Sequence, residues 1–107
     1  MKRCGSVIRV RPEKLEEYKK LHAAVWPEVL QIIHDCNIRN YSIYHKDGLL
    51  FSYFEYFGDD FDADMKKMAD NPTTQEWWKH CGPCQEPLET RKEGEWWAEM
   101  EEVFHTD

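Results

Sequence analysis

The spacing of hydrophobic positions changes several times along the chain, and the changes divide it into elements. Residues 3 to 10 (Arg-Cys-Gly-Ser-Val-Ile-Arg-Val) read as a strand, ended by Pro12, whose missing N–H costs nothing in the first turn of a helix. From there Leu15, Tyr18, Leu21, His22, Val25, Trp26, Val29, Leu30 and Ile33 recur at three- and four-residue spacing, the period of an amphipathic helix. Pro27 interrupts that stripe and predicts a kink or two helices meeting near Trp26, with Asn37 as the stop. Residues 38 to 45 then alternate and residues 49 to 57 are rich in aromatics, with the hairpin dipeptide Asp47-Gly48 between them.

Asp59 or Asp60 caps a second helical segment bearing Phe61, Met65 and Met68, and Asn71-Pro72 breaks it. Thr73, with Glu76 three residues on, suggests a capping box for a short helix carrying Trp77 and Trp78. Residues 81 to 94, with Gly82, Pro83, Pro87 and Gly94, read as a long loop, and a last strand is expected from about Trp96 to Phe104 with Trp96, Ala98, Met100 and Phe104 on one face. The order strand, helix, strand, strand, helix, strand predicts an α+β, ferredoxin-like (βαββαβ) antiparallel sheet with helices on one face. Rings on both faces of the second and third strands (Tyr41, Tyr44, Phe51, Tyr53, Phe54, Tyr56) ask for a cover on the far side. The simplest cover is a second copy of the sheet, so a homodimer of the α/β-barrel type is expected.

Composition narrows the function classes. At 107 residues the chain fits a single domain, residues 1 to 107, with a core of its own. A net charge of −7, with no basic cluster, would repel a phosphate backbone, so no nucleic acid partner is expected. No apolar run is long enough for a membrane span, and the residues Met1-Lys2-Arg3-Cys4-Gly5-Ser6 hold no apolar signal, which points to a cytoplasmic protein. The four cysteines, Cys4, Cys36, Cys81 and Cys84, are then expected to stay reduced.

Cys81-Gly82-Pro83-Cys84 matches a thiol–disulfide motif letter for letter. The flanking Trp77-Trp78-Lys79-His80 and Pro87 lack the strand-to-helix setting of such motifs, and a zinc site with His80 and His34 or Cys36 lacks two clear ligand pairs. A turn with two incidental thiols is the plainer reading, and no metal is expected.

Tyr18 and His22 are four residues apart and share a helix face, so they reach into one volume. Histidine titrates near neutrality and exchanges protons at cellular pH, although a histidine on an apolar helix face is more often a satisfied core residue. His34, His45, His80 and His105 read as surface residues. Trp77 and Trp78 offer flat apolar faces of the kind on which sugars stack, but neighbours on a helix diverge by about 100°, so one should pack inward and the other meet a ligand. Trp96-Trp97 on a strand reads as a structural pair, and Glu99, Glu101 and Glu102 as a solvated strand face. Phosphate loops, nucleophile elbows and metalloprotease motifs are missing, which leaves proton transfer on a small neutral ligand, or simple binding.

Glu17-Tyr18, His22, Trp26-Pro27-Glu28, Asn40-Tyr41, Ile43-Tyr44, Leu49-Leu50-Phe51, Trp77-Trp78 and Glu102-Val103-Phe104 occur in an order and spacing that resemble the L-rhamnose mutarotase family. The resemblance runs from the first strand to the end except about residues 79 to 98. It implies a dimeric ferredoxin-like enzyme, an isomerase that needs no metal or other cofactor and interconverts the α and β anomers of a 6-deoxy monosaccharide. By position, His22 corresponds to the general acid, and Tyr18, Tyr41, Trp77 and Trp78 to the sugar-contacting set. L-Rhamnose is the substrate implied, with L-fucose or another 6-deoxy sugar as the alternative. The divergent loop from Cys81 to Gly94, with Arg91-Lys92, lies next to the tryptophan pair and could alter which sugar fits. A small monooxygenase or a ligand-binding module of the same fold is the alternative of a different class.

Overall fold

A computed structural model describes all 107 residues. Strand β1 (Lys2–Val10) leads through a 3₁₀ turn at Pro12–Lys14 into α1 (Leu15–Ala23) and α2 (Pro27–Asp35). Strands β2 (Ile38–Lys46) and β3 (Leu49–Tyr56) form a hairpin, followed by α3 (Phe61–Asp70) and α4 (Pro72–Cys81). A second 3₁₀ turn at Gly82–Cys84 runs into the two-residue strands β4 (Gln85–Glu86) and, later, β5 (Ala98–Glu99).

Local chemistry sets the boundaries. The first turn of α1 carries Glu16 and Glu17 and its last turn Lys20, each sign opposing the helix dipole. The helix stops before Pro27 because the residue preceding a proline is pushed out of helical geometry. Trp26 accordingly takes φ −59° and ψ 134°, and Pro27 starts α2. Two helices are therefore present, not one kinked helix. Asn37 leaves α2 at φ 65°, and the β2–β3 turn places Asp47 at φ 51° and Gly48 at φ 78°, the pair of positive angles that a two-residue hairpin requires. Asp60 caps α3 by accepting from Ala63 N–H at 3.1 Å.

Three local expectations are corrected. Asn71, not Thr73, caps α4: its side-chain oxygen accepts from the N–H groups of Thr73 (2.8 Å) and Thr74 (3.4 Å), and Pro72 takes the first helical position. The segment after Cys81 is not all loop, since Gln85 and Glu86 pair with Val10 and Arg9. The expected last strand shrinks to Ala98–Glu99, pairing with Val7 and Ser6 and extended only by Met100 N–H to the Gly5 carbonyl at 2.8 Å. The reason is one of space and propensity. β4 already holds the far end of the single free edge of β1, and the glutamate-rich continuation has little tendency to form a strand. Of Trp96, Ala98, Met100 and Phe104, only Ala98 is buried.

The sheet order is β2-β3-β1, with β4 and β5 sharing the fourth position on the other side of β1, all neighbours antiparallel. This is the ferredoxin-like arrangement, in which the two central strands come from different halves of the chain. On one face Ile8, Val10 and Leu50 form a core with Tyr18 of α1, Val29 of α2, Trp77 and Cys81 of α4, and Cys84. The other face carries Phe51 and Tyr53, partly buried, and an exposed Tyr44. The C-terminal residues run along this side, held by the Arg3–Glu102 ion pair at 2.7 Å, with Val103 and Phe104 exposed.

Candidate active site

The helix-covered face is not fully closed. Between α1 and the β2–β3 hairpin lies an open cavity of about 310 Å³, lined from α1 by Leu15, Tyr18, Lys19, His22 and Ala23 and from the strands by Ile43, Tyr44, His45 and Leu50. That size falls at the small end of the range for small-molecule sites. No carboxylate lines it despite the overall negative charge.

Tyr18 and His22 project from successive turns of α1 and stack, ring centroids 4.1 Å apart. His22 Nδ1 lies 3.0 Å from the Tyr18 carbonyl oxygen. A carbonyl can only accept, so Nδ1 carries the hydrogen and the neutral ring exposes Nε2 as an acceptor. Burial lowers the His22 pKa below its ordinary 6.5, against the bond to Tyr18, which favours the charged form. The ring therefore rests neutral at pH 7. Trp77 of α4 is buried and meets His22 edge to face at 5.4 Å, and Trp26 packs on Trp77 at 5.1 Å. One wall of indole thus fixes the imidazole plane while its carbonyl bond fixes the tautomer.

Tyr41 reaches the same face by way of a β-bulge. The β2–β3 register shifts between Arg39 and Ser42, and Asn40 takes φ 51°, a conformation that asparagine tolerates better than most residues. The extra residue puts Tyr41 against Phe54, centroids 5.5 Å apart, with Ile43 and His45 following on the helix side. Asn40 donates to Glu55 Oε1 at 2.7 Å and holds the bulge. Tyr41 is 42 % exposed, yet its phenol is in electrostatic reach of Cys81, and burial raises its pKa. Trp78 is different. It is 47 % exposed and makes none of these ring contacts, so the structure brings together Tyr18, His22 and Trp77, sets Tyr41 nearby, and leaves Trp78 at the surface.

Gln85 carries no signal in the sequence, and Trp96 has a different role from the one expected. Gln85, 6 % exposed, donates from Nε2 to the Tyr18 hydroxyl oxygen at 3.4 Å and accepts at Oε1 from Trp96 Nε1 at 2.8 Å. Both lie in the segment where the family pattern is lost, and no periodicity marks Gln85. Trp96, expected to be a structural strand residue, stands half-exposed ahead of β5 with its N–H used in this bond.

The Cys81–Cys84 segment is structural. Both thiols are free and buried; burial pushes Cys81 up to about 12 and, with Glu17 accepting from its Sγ at 3.2 Å, pushes Cys84 up to about 11. Thiol exchange needs the opposite shift, toward thiolate. No three His, Cys, Asp or Glu side chains converge to hold a metal, so the donors weighed for zinc do not come together.

A family model described as L-rhamnose mutarotase matches residues 3–106. The chain belongs to the L-rhamnose mutarotase family. It is 34 % identical to the L-rhamnose mutarotase of Bacillus subtilis (strain 168) and 32 % identical to that of Oceanobacillus iheyensis, each comparison covering 100 % of both chains. Among solved structures, an L-rhamnose mutarotase from Formosa agariphila superposes with a TM-score of 0.78 at 22 % identity, covering 100 % of both chains. Tetracenomycin F2 cyclase from Streptomyces glaucescens superposes almost as well, with a TM-score of 0.76 at 17 % identity over 100 % of this chain and 98 % of the cyclase. The same backbone thus serves a sugar mutarotase and a polyketide cyclase, and the distinction lies in the side chains of the site. The mutarotase family, not the monooxygenase or binding-module alternative, is the one this chain falls in. No helix is long and apolar enough to cross a membrane.

Proposed function

We propose that residues 1 to 107 form a mutarotase that interconverts the α and β anomers of L-rhamnose, with His22 as the proton-transfer group. The observation that carries this reading is the fixed, neutral His22 ring, its Nδ1 committed to the Tyr18 carbonyl and its Nε2 open, beside a small cavity without carboxylates. Membership of the mutarotase family supplies the sugar.

Nε2 takes the proton of the anomeric hydroxyl as the bond from C1 to the ring oxygen breaks, its electron pair passing to that oxygen while C1 becomes an aldehyde. The imidazolium then delivers the same proton to the ring oxygen, which sits on the same carbon and so within reach of one group. Here His22 acts as the acid that the family resemblance implies, one step after acting as base. Rotation about C1–C2 and the reverse transfers close the ring on its other face. Tyr18 and Tyr41 hydrogen-bond the sugar, Trp77 holds the histidine plane, and Trp78 is an outer sugar contact. Positioned proton transfer of this kind contributes about 10²–10⁴-fold.

Activity needs neutral His22. Because burial lowers its pKa, the plateau extends from neutral pH to below 6.5 and falls only under the lowered value. Saturation-transfer proton NMR on equilibrated L-rhamnose, with L-fucose in parallel, tests the assignment. Faster anomer exchange for L-rhamnose supports it, preference for L-fucose moves it to that sugar, and no acceleration of either refutes it.

The chain also acts as a homodimer in this reading. Tyr44, Phe51 and Tyr53 on the uncovered sheet face and the exposed Val103 and Phe104 support that expectation. Sedimentation at twice the 12.9 kDa chain mass is the expected result, and a 12.9 kDa species would contradict it.

A further inference from the structure

Tyr18 is buried, and its hydroxyl has one protein partner, the Gln85 side-chain amide. Which end of that amide faces the phenol decides what the phenol can do. An indole N–H only donates, so Trp96 Nε1, 2.8 Å from the Gln85 oxygen, fixes that end of the amide as the acceptor. The NH₂ end must then face Tyr18. A hydroxyl oxygen that receives a donor keeps its own proton for another acceptor, and no protein group supplies one. The contact of 3.4 Å is at the long end for a hydrogen bond.

We infer that Trp96 and Gln85 are positioning residues that hold Tyr18 as a hydrogen-bond donor aimed at the bound sugar. The inference rests on the mutarotase reading for what the sugar is, but the hydrogen-bond chain itself does not. It gives the site two complementary polarities on one helix face: His22 Nε2 accepts and Tyr18 O–H donates. A sugar opening its ring loses a proton from one oxygen and gathers charge on the other, and a fixed donor beside the base steadies that charge until His22 returns the proton. Gln85 is placed for this by backbone pairing with Val10, and the Arg11 N–H bond to the Cys84 carbonyl at 2.8 Å anchors the turn before it. Trp96 is brought back across the loop by the pairing of Ala98 with Val7. The divergent loop thus reaches the chemistry through Tyr18 instead of through its cysteines.

Gln85→Glu separates this role from a merely structural one. A carboxylate in place of the amide still satisfies Trp96 but now accepts from Tyr18 and turns its proton away from the sugar. A protonated carboxyl can donate to Tyr18 and restore the original direction. The other groups facing Tyr18 are the Tyr41 phenol, the Cys81 and Cys84 thiols and the His22 ring on its own helix, with Glu17 behind Cys84; all are common to both proteins. The expected result is a kcat for L-rhamnose anomer exchange that, relative to the wild type at the same pH, falls in Gln85→Glu as pH rises from 5 to 8 and is lower by roughly tenfold at pH 8. Parallel profiles, or a kcat within about twofold of wild type at pH 8, overturn the inference. Trp96→Phe, at a half-exposed position where folding is less at risk, should lower kcat several-fold with KM little changed; unchanged kcat also overturns it.

A binding-independent readout keeps the inference apart from the mutarotase reading. In ¹H–¹⁵N spectra Tyr18→Phe should shift one Gln85 amide proton while leaving the Trp96 indole N–H in place, and Trp96→Phe should shift both amide protons. If the wild type accelerates no sugar, the mutarotase reading fails, and these spectra alone decide whether the chain exists. Gln85 resonances that stay put in both variants refute it.

Discussion

Tyr18 and Tyr56 stand toward opposite ends of the same helix-covered sheet face, and both are buried, yet their hydroxyls are used in opposite ways. Tyr56 donates to Asp64 Oδ2 at 2.5 Å and accepts from Asp60 N–H at 3.1 Å, while Asn37 donates to the same carboxylate at 3.1 Å. Gly58 passes so close that a Cβ there would lie 2.3 Å from the Tyr56 hydroxyl oxygen. Burial first, and then Asp64, pushes the Tyr56 phenol up to about 12. The Tyr56 hydroxyl both donates and accepts within the protein, and the cluster does one thing, which is to tie α3 to the end of the sheet. Tyr18 has a donor facing it and no acceptor. Burial raises both phenols, so burial does not tell a working tyrosine from a structural one; the direction of the hydrogen bonds does.

The largest expected effect lies at the Tyr18 end. His22→Ala should slow L-rhamnose anomer exchange by about 10²–10⁴-fold, measured by saturation transfer, with the folded state kept because the ring is only half-buried. Removing each hydroxyl is the direct contrast. Tyr18→Phe should cost roughly tenfold in exchange rate and little in melting temperature. Tyr56→Phe should leave the rate unchanged and lower the melting temperature by about 5 °C, since Asp64 loses one of its two donors. Equal effects on rate from the two variants would remove the distinction. Gly58→Ala forces a methyl group into the Tyr56 cluster and should destabilise by about 1–3 kcal/mol in urea unfolding without altering exchange.

A smaller effect is expected from acid. Tyr56 first, and then Asn37, holds the Asp64 carboxyl below its ordinary 3.8. A lowered carboxyl contributes stability above the unfolded value that is lost as pH falls through the folded one. Melting temperature should therefore drop less steeply below pH 4 in Asp64→Asn than in the wild type, starting from a lower value at neutrality.

Legibility followed separation along the chain at both ends. The break before Pro27, the Asp47-Gly48 hairpin, the Asp60 cap and the pairing of Tyr18 with His22 all follow from residues within a few positions of each other, where propensity and period speak directly. Gln85 and Trp96 are eleven residues apart in a stretch without period, and only the edge of β1 brings them together. The bulge at Asn40 was hidden for a similar reason. Simple alternation continues through it, and the side of the sheet that Tyr41 takes depends on one residue at positive φ. The last strand was overextended because alternating rings and glutamates look like a half-buried strand, whereas the available edge of β1 was already shared. Trp78 shows the limit of the helix argument: geometry separates it from Trp77, and burial alone identifies which of the two packs inward.

The resting state of His22 underlies the proton-transfer scheme, and ¹⁵N NMR reads it without substrate. Long-range ¹H–¹⁵N correlations of selectively labelled histidine, assigned by loss of the signals in His22→Ala, report protonation at each ring nitrogen as pH is varied. A neutral ring at pH 7, protonated at Nδ1 and bare at Nε2, with a pKa below 6.5, is the expected result. A ring that is an imidazolium at pH 7, or neutral with its hydrogen on Nε2, would contradict it, because Nε2 could not then take the anomeric proton.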